Sequence, residues 1–459
     1  MTERPSKLSR LLDSIPAGFY SNAAWQYVTS FAGSGLNFVY ILVTGALLGV
    51  NDFGRLSVAL ACATVTFQLV ELRLHEAVIR YVSEFRERAQ HAEVYAAVKL
   101  FLLADAMTGV AAFALVLAVA PLAARYLLKD AADVGVIVVA GLVILFQNVS
   151  TATSVGLCRT FGDFRMQAII SSVGGLSKVL LTVLAIRTFG LGVVGVLLVA
   201  AASNLAMNAV LAANALRVVA RHVPAEGRAP LSLLRSRFRD IRRFVVSTYV
   251  FSLSAIPTKD LDVALVGYFA VPAASGVYKV AKTFIVAITM LVDPAFFVIY
   301  PQLTAMWIRR EASRMIAFVQ SITLILAAAS VVVALASFVV VPAVITQVAG
   351  EQYAAAGSVF RVMIWALLFW APLIWVNPML LAADRPDIVT KASLIAGAVA
   401  VALQLLLIPT FEAIGAAVGY VCATALSMII ALTWGVRAGV IPPRFSDEST
   451  RREAGRERA

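Results

Sequence analysis

Charged side chains stand inside stretches of sequence that are otherwise apolar, and they come in groups. One stretch carries Glu71, Arg73, His75, Glu76 and Arg80. Arg73–Glu76 and Glu76–Arg80 are spaced three and four apart, so on a helix they meet along one face, while Glu71 and His75 share a second line. Two readings stay open. Arg73 and Arg80 attract a phosphate while Glu71 or His75 takes a proton, or the ladder neutralises itself and fixes packing. Lys178 stands among Gly174, Gly175 and Leu180 with no acid within a turn. It must line a wet cavity or meet an acid on another helix, Glu71 or Asp105. Lys259, Asp260 and Asp262 precede Lys279 and Lys282. Asp262 could bridge to either later lysine, and three lysines against two acids leave a positive surplus. Arg361 lines the same interior or snorkels outward. Asp293 precedes Pro294 and could be a carboxylate at a helix break. Taken together, the bases outnumber the acids, which suits an anionic group such as a pyrophosphate. Glu71, His75, Asp262 and Asp293 are the candidates for carrying a coupling ion.

The elements that must hold these residues are long apolar helices. The chain has 459 residues, 61% of them hydrophobic and 14% charged, with a mean hydropathy of +0.88. No globular core could hide that much apolar surface. Twelve stretches are each long enough to cross about 30 Å of hydrocarbon as a helix: 23–49, 55–82, 94–127, 133–158, 165–187, 192–219, 243–270, 275–301, 313–341, 354–383, 387–408 and 412–437. Around them lie a head (1–22) that could form an amphipathic helix on the membrane surface, a basic linker (220–242) and a polar tail (438–459) expected to be disordered. An even number of spans puts both termini on one side. Lysines and arginines then concentrate on the terminal side, leaving Arg55, Arg125, Lys129 and Arg187 on the other. The positive-inside rule therefore predicts cytoplasmic termini. It also accounts for most of the net charge of +12 without nucleic acid as a partner. No cleavable signal peptide is read at the start. Cys62, Cys158 and Cys422 show no paired or metal-like spacing and read as packing residues.

The two halves, 23–219 and 243–437, read alike. Gly54 and Gly276 each open the helix after the first span of their half. Each is followed seventeen residues later by an acid, Glu71 or Asp293, and preceded nineteen residues earlier by a helix-weakening residue, Gly35 or Pro257. Thr188-Phe189 before Gly192 and Gly195 matches Thr410-Phe411 before Gly415 and Gly419. Twenty-six residues before those threonines lie the short polar turns Gly162-Asp163 and Asp384-Arg385. A duplicated six-helix unit has both copies in one orientation, related by an axis along the membrane normal. It leaves a central cavity that opens to either face as one lobe rocks on the other. Gly33, Gly35, Pro257 and Pro294 are the candidate hinges; static kinks are the equal alternative.

At these residues the chain resembles the Wzx-like oligosaccharide flippases, the polysaccharide transporter family within the multidrug/oligosaccharidyl-lipid/polysaccharide exporter superfamily. The first span with Asn22 and Trp25, followed by LLGVNDFGRLSVA, is similar to that family's first two helices. LDVALVGYFAVPAASGVYKVAKTF is similar to its seventh-to-eighth passage, and LLAADRPDIVTKASL with FEAIGAAVGYVCATAL to its last pair. The similarity runs in order over nearly the whole chain. It implies a V-shaped bundle of two lobes that turns a polyprenyl-pyrophosphate-linked oligosaccharide from the inner to the outer leaflet of a bacterial inner membrane. It further implies a role in surface polysaccharide synthesis, such as O-antigen, lipopolysaccharide or exopolysaccharide, beside polymerase and co-polymerase proteins.

The expected fold is thus an all-α integral membrane protein, with twelve helices in two pseudo-symmetric lobes around a cavity. Arg73, Arg80, Lys178, Lys259, Lys279, Lys282 and Arg361 are the candidates for holding the substrate. No phosphate-cradling loop, metal-ligand spacing or nucleophile with a base partner is found in the sequence. The expectation is therefore a transporter without a cofactor, coupled to a proton or sodium gradient, and not an enzyme. The rival readings are a multidrug/cation antiporter of the same superfamily, a flippase for a lipid-linked peptidoglycan precursor, and a non-transporting scaffold for polysaccharide assembly. The antiporter should show isolated carboxylates and aromatics in its cavity. The peptidoglycan-precursor flippases usually carry two further helices.

Overall fold

The computed structural model describes residues 19–224, 229–253 and 260–441, and among these every regular element is helical. Most of the head and of the tail, with Pro257 and Lys259, lie outside the described residues. In the first half the helices are α1 (Phe19–Leu48), α2 (Val50–Gln68), α3 (Leu74–Glu87), α4 (His91–Leu127), α5 (Val134–Asn148), α6 (Thr151–Thr160), α7 (Phe164–Phe189) and α8 (Val193–His222). The second half has α9 (Phe238–Leu253), α10 (Leu261–Phe269), α11 (Pro272–Met290), α12 (Asp293–Ile308), α13 (Ala312–Ala349), α14 (Ala354–Met363), α15 (Trp365–Trp370), α16 (Val376–Ala382) and α17 (Pro386–Arg437). Among the described residues nine helical stretches are long and apolar enough to cross a membrane. Several expected spans are instead built from two or three shorter helices in series.

The longest helix contains a reversal. At Glu412 the backbone turns to φ 47°, and the chain after it folds back on the chain before it. A Cβ on Gly415 would lie 2.6 Å from the Leu407 carbonyl, and one on Gly419 would lie 2.5 Å from Gln404. The division of this region into 387–408 and 412–437 therefore stands, and the two glycines permit the close antiparallel approach.

The repeat is written in the backbone. Eight of the ten described residues with positive φ fall in pairs, one from each half: Ala89 with Arg310, Lys129 with Gly350, Gly162 with Asp384, and Gly190 with Glu412; Gly49 and Gly439 stand outside the pattern. Each pair is separated by 221 or 222 residues, the spacing that also relates Gly54 to Gly276. A left-handed residue costs roughly 1–2 kcal/mol when it is not glycine. The recurrence of the same turn at the same place in both halves, with different residues, points to one inherited backbone path.

Gly54 and Gly276 do more than match. They face each other where α2 crosses α11: a Cβ on Gly276 would sit 3.2 Å from the Gly54 Cα and 2.8 Å from the Val50 carbonyl oxygen. Other contacts join the halves at the same end. Tyr353 Oη donates to the Gly45 carbonyl at 3.0 Å, the Val50 N–H donates to Gln352 Oε1 at 3.2 Å, and Lys129 Nζ donates to the Tyr268 carbonyl. Together these form one core that runs through both halves, from Phe53 and Leu56 across to Tyr278, Ile285 and Phe360. We call this end the joined end.

Away from it the cores separate. One holds α3, α4 and α6 with part of α8 (Val78, Phe85, Val94, Leu157). The other holds α12, α13, α16 and part of α17 (Leu303, Trp375, Leu380, Ala392). The basic linker does not float between them. Leu234 and, in α9, Ile241 and Val245 are buried in the first-half core. Arg237 pairs with Glu84, and Tyr249 Oη donates to the Leu69 carbonyl at 2.6 Å. The first part of the expected seventh span thus packs on the first half, whereas α10 packs against α17 and α2.

A modest prediction follows from the joined end. Gly45's carbonyl also accepts the Gly49 N–H at 3.1 Å, so Tyr353→Phe removes one interaction without stranding an acceptor. It should cost about 1 kcal/mol, measured as a small fall in thermal stability of the purified protein. No change would mean that this contact adds nothing to the joining of the halves.

Candidate functional site

Between the halves lies a cavity of about 560 Å³. From the first half, α1 brings Asn37 and Tyr40, α2 brings Ser57 and Gln68, and α7 brings Lys178; from the second, α11 brings Lys279 and Lys282. Helical spacing explains the last pair, since residues three apart share a face. A second cavity of about 510 Å³ shares Asn37, Ile41, Asp260, Lys279, Lys282 and Val286 with the first and continues it between α1 and α11. Its walls there are largely apolar, with Phe31, Phe38, Met290 and Leu291. A third space of about 220 Å³ shares Phe67, Glu71 and Asn148 with the first and runs into the first half.

The three lysines are held differently. Lys178 Nζ sits 4.4 Å from the centre of the Tyr40 ring, a geometry in which the ring face attracts the ammonium group. Among the described residues no carboxylate lies within 4.0 Å of it, so neither Glu71 nor Asp105 is its ion-pair partner. Lys279 Nζ reaches Asp260 Oδ1 at 2.8 Å. Lys282 Nζ reaches both oxygens of Asp262, at 2.7 and 2.8 Å, and Asp262 also accepts from Tyr278 Oη at 2.7 Å and the Val263 N–H at 2.8 Å. Of the two bridges open to Asp262, the structure forms the one to Lys282. Asp262 is 2% exposed and both of its oxygens are occupied, so its geometry is that of a structural anchor rather than an open ion carrier.

Among the described residues that line the cavity, Lys178, Lys279 and Lys282 stand against Glu71 and Asp260, a surplus of one positive charge. Asp262 is buried behind Lys282, outside that lining. The charges are also separated: Lys178, without a carboxylate within reach, is on the first-half wall, and two paired lysines are on the second-half wall. Lys259 lies outside the described residues.

The charged ladder of the second span also differs from expectation, because that span is two helices. α2 stops at Gln68, Glu71 and Arg73 lie in the irregular link, and α3 starts at Leu74. Glu71 and His75 therefore do not share a line on a continuous helix, although both face the third space. Arg73 pairs with Glu76 at 2.5 Å, as spaced, but does not line the cavities. Arg80 does not pair with Glu76; its guanidinium lies 4.7 Å from the centre of the Phe244 ring on α9 and is exposed. Arg361 is exposed, 5.3 Å from the Phe338 ring centre, and lines none of the three spaces. Gly33 and Gly35 border the second cavity, yet α1 runs unbroken through both. Pro294 stands in the first turn of α12, where a missing N–H costs nothing; the expected eighth span breaks there into α11 and α12. The Asp293 side chain lies outside those described.

Sequence reasoning missed other members of the site. Asn37, Gln68, Gln147, Asn148 and Asn204 place amides around the cavity, and Arg159 faces the third space. The amides were legible as polar residues inside spans. Arg159, near the end of a stretch on the terminal side, carries no spacing signal for its inward-facing place in α6.

The comparisons agree with this geometry. No curated protein matches the chain. Among solved structures, an inward-facing MATE multidrug resistance transporter of the MOP superfamily superposes with a TM-score of 0.72 at 14% identity, over 91% of this chain and 98% of that one. The lipid II flippase MurJ, in an inward closed conformation, gives a TM-score of 0.68 at 11% identity, over 89% and 86%. A MOP-superfamily transporter from Pyrococcus furiosus, described as having a binding pocket of reverse polarity, gives 0.57 at 16% identity, over 95% and 99%. At such identities the likeness is one of fold: an all-helical, multi-pass membrane bundle. Residues 19–307 match the family model for polysaccharide biosynthesis proteins, which covers more than half of the chain, and the protein belongs to that family.

Proposed function

We propose that this protein is a flippase that carries a polyprenyl-pyrophosphate-linked oligosaccharide across a bacterial inner membrane for surface polysaccharide synthesis. The observation that carries the reading is Lys178, a cation on the cavity wall with no carboxylate within 4.0 Å among the described residues. A charge kept at membrane depth without a protein counter-ion needs water or an anionic ligand beside it. Across the cavity Lys279 is held by a single oxygen of Asp260, a pair that a phosphate oxygen can replace. A pyrophosphate between Lys178 and Lys279 would draw the two halves together, and the amides would meet the sugar hydroxyls. The apolar extension between α1 and α11 gives the polyprenyl tail a way out toward lipid.

Family membership supports the same reading. The positive-inside rule makes the joined end the outer one, so the described state is closed outward, with cytoplasmic termini. Residues 23–219 and 243–437 act as two bodies, except that the start of the second rides on the first through α9. A proton or sodium gradient drives the exchange.

The test is uptake into proteoliposomes. With a labelled polyprenyl-pyrophosphate oligosaccharide, Lys178→Gln and Lys279→Gln should each lower the rate about tenfold or more, the worth of a charge-assisted contact. A cationic dye should not be moved by the parent protein. Dye transport with no lipid-linked sugar transport would replace this reading by that of a cation antiporter. Sugar export that survives both substitutions would favour a scaffold.

A further inference from the structure

The third space, at the link between α2 and α3, contains charges of both signs that do not pair with each other. The Glu71 carboxylate has no hydrogen-bond or ion-pair partner among the described residues. Arg159, on α6, likewise has no carboxylate within 4.0 Å. Asp105, on α4, is 6% exposed and accepts the Thr153 N–H, at 2.8 Å. Thr108, one turn further along α4, is 7% exposed and its side chain faces the same space with no hydrogen bond among the described residues. Its hydroxyl keeps access to the space and is open to bond whatever fills it.

The signs select the occupant. A metal or sodium ion would satisfy Glu71 and Asp105 but would be repelled by Arg159. Moreover, no group of three or more His, Cys, Asp or Glu side chains among the described residues is placed to hold a metal ion. A phosphate would satisfy Arg159 but would face two carboxylates. A group that donates and accepts at neighbouring atoms satisfies all of them, and a sugar's vicinal hydroxyls do this. The volume of about 220 Å³ is below the roughly 300–1,000 Å³ of sites for drug-sized ligands, the scale of one ring rather than of an oligosaccharide. Phe67 gives the space an aromatic wall and, with Glu71 and Asn148, opens it to the central cavity.

We propose that this pocket is a subsite for a single neutral pyranose, the sugar by which the carrier selects its glycan, with Glu71 and Asp105 accepting from its hydroxyls and Arg159 donating to them. This rests on the flippase reading above and adds to it a place for sugar recognition separate from the lysines. His75 also faces the pocket, with Glu76 3.6 Å from its Nε2 and Arg73 beside them, so the pocket's ionisable groups are Glu71, His75, Asp105 and Arg159.

The test uses the full chain in lipid nanodiscs and two probes: methyl glycosides of a neutral hexose, a 6-deoxyhexose and an N-acetylhexosamine, followed by saturation-transfer NMR, and inorganic pyrophosphate, followed by calorimetry. At least one glycoside should bind the parent protein. Glu71→Gln and Arg159→Gln should each weaken it about tenfold or more and leave pyrophosphate binding unchanged. Lys279→Gln should do the reverse. Thr108→Val, which keeps the volume and removes the hydroxyl, should weaken the glycoside with no loss of thermal stability. The subsite is overturned if no glycoside binds, if the glycoside binds as well to both variants as to the parent, or if sodium alone protects the pocket. Loss of pyrophosphate binding from the parent would instead count against the flippase reading and leave the glycoside result to stand by itself.

Discussion

Gly54→Ala should separate the two halves at their joined end. A Cβ at this position would lie 1.9 Å from the Pro272 carbonyl oxygen and 2.4 Å from its carbon. Both are backbone atoms at the start of α11, so no side chain can swing away. Either α2 or α11 must move by more than an ångström, and the contacts around the crossing must follow: Val50 to Gln352, Gly45 to Tyr353, Lys129 to Tyr268. Overpacking a tight site costs typically about 1–3 kcal/mol; a clash with unyielding backbone belongs at or above the top of that range. Two measurements should agree. The thermal midpoint should fall far more than for Gly33→Ala, where a Cβ meets nothing within 4 Å. A bifunctional thiol reagent should join cysteines placed at Val50 and Gln352 in the parent and fail to do so in the variant. A midpoint and a cross-linking yield equal to the parent's would mean that the crossing of α2 and α11 does not hold the halves together.

The two glycines at that crossing were legible as matching positions of a repeat, although not that they meet. The same holds for the hairpin at Thr410-Phe411 and for the polar turns at Gly162 and Asp384, which both take positive φ. Turn chemistry is local, and a repeat reports it twice. The bridge from Asp262 to Lys282 was open to sequence reasoning because a buried acid near two lysines must choose one. The break at Leu69–Arg73 was not open to it. No proline or glycine marks the link, and apolar residues on both sides keep the hydropathy of one long span. Once the helix is cut, the line shared by Glu71 and His75 no longer exists, and the ladder Arg73–Glu76–Arg80 keeps only its first rung. Arg80 turns to Phe244 on α9, a partner 164 residues away that no spacing rule could supply.

The break has a consequence for the site. Had the second span been one helix, Glu71 would have stood in register with His75, two side chains on one stripe. The irregular link instead leaves Glu71 free of the regular helix pattern, at the boundary of the central cavity and the third space. Tyr249, from the segment of α9 that rides on the first half, donates to the Leu69 carbonyl in this same link. This irregular link is therefore tied to α9, the first helix of the second half. The residue most central to the polar interior sits where the chain was least predictable from composition.

Asp262→Ala should be among the most destabilising single changes outside the joined end. Lys282 is 8% exposed and Asp262 is 2% exposed, and the carboxylate takes both a two-oxygen contact from Lys282 and the Tyr278 hydroxyl. Removing it takes from Lys282 its two-oxygen contact and from Tyr278 its acceptor, in a low-dielectric interior. Breaking a buried pair from one side costs about 3–5 kcal/mol. Lys282→Met should cost less than Lys282→Ala, since it keeps the volume, but it strands the Asp262 carboxylate in turn. The double change Asp262→Leu with Lys282→Met removes both charges and should recover much of the loss, as apolar replacements of buried pairs often do. Thermal midpoints of the parent, Asp262→Leu, Lys282→Met and the double variant form a mutant cycle that isolates the pair. The cycle also tests the assignment of roles. If Asp262 is an anchor, the double variant should regain stability and keep transport of the lipid-linked sugar in proteoliposomes. If it regains stability but loses transport, Asp262 or Lys282 takes part in the transport cycle itself, and the two oxygens seen occupied by Lys282 and Tyr278 must open during it.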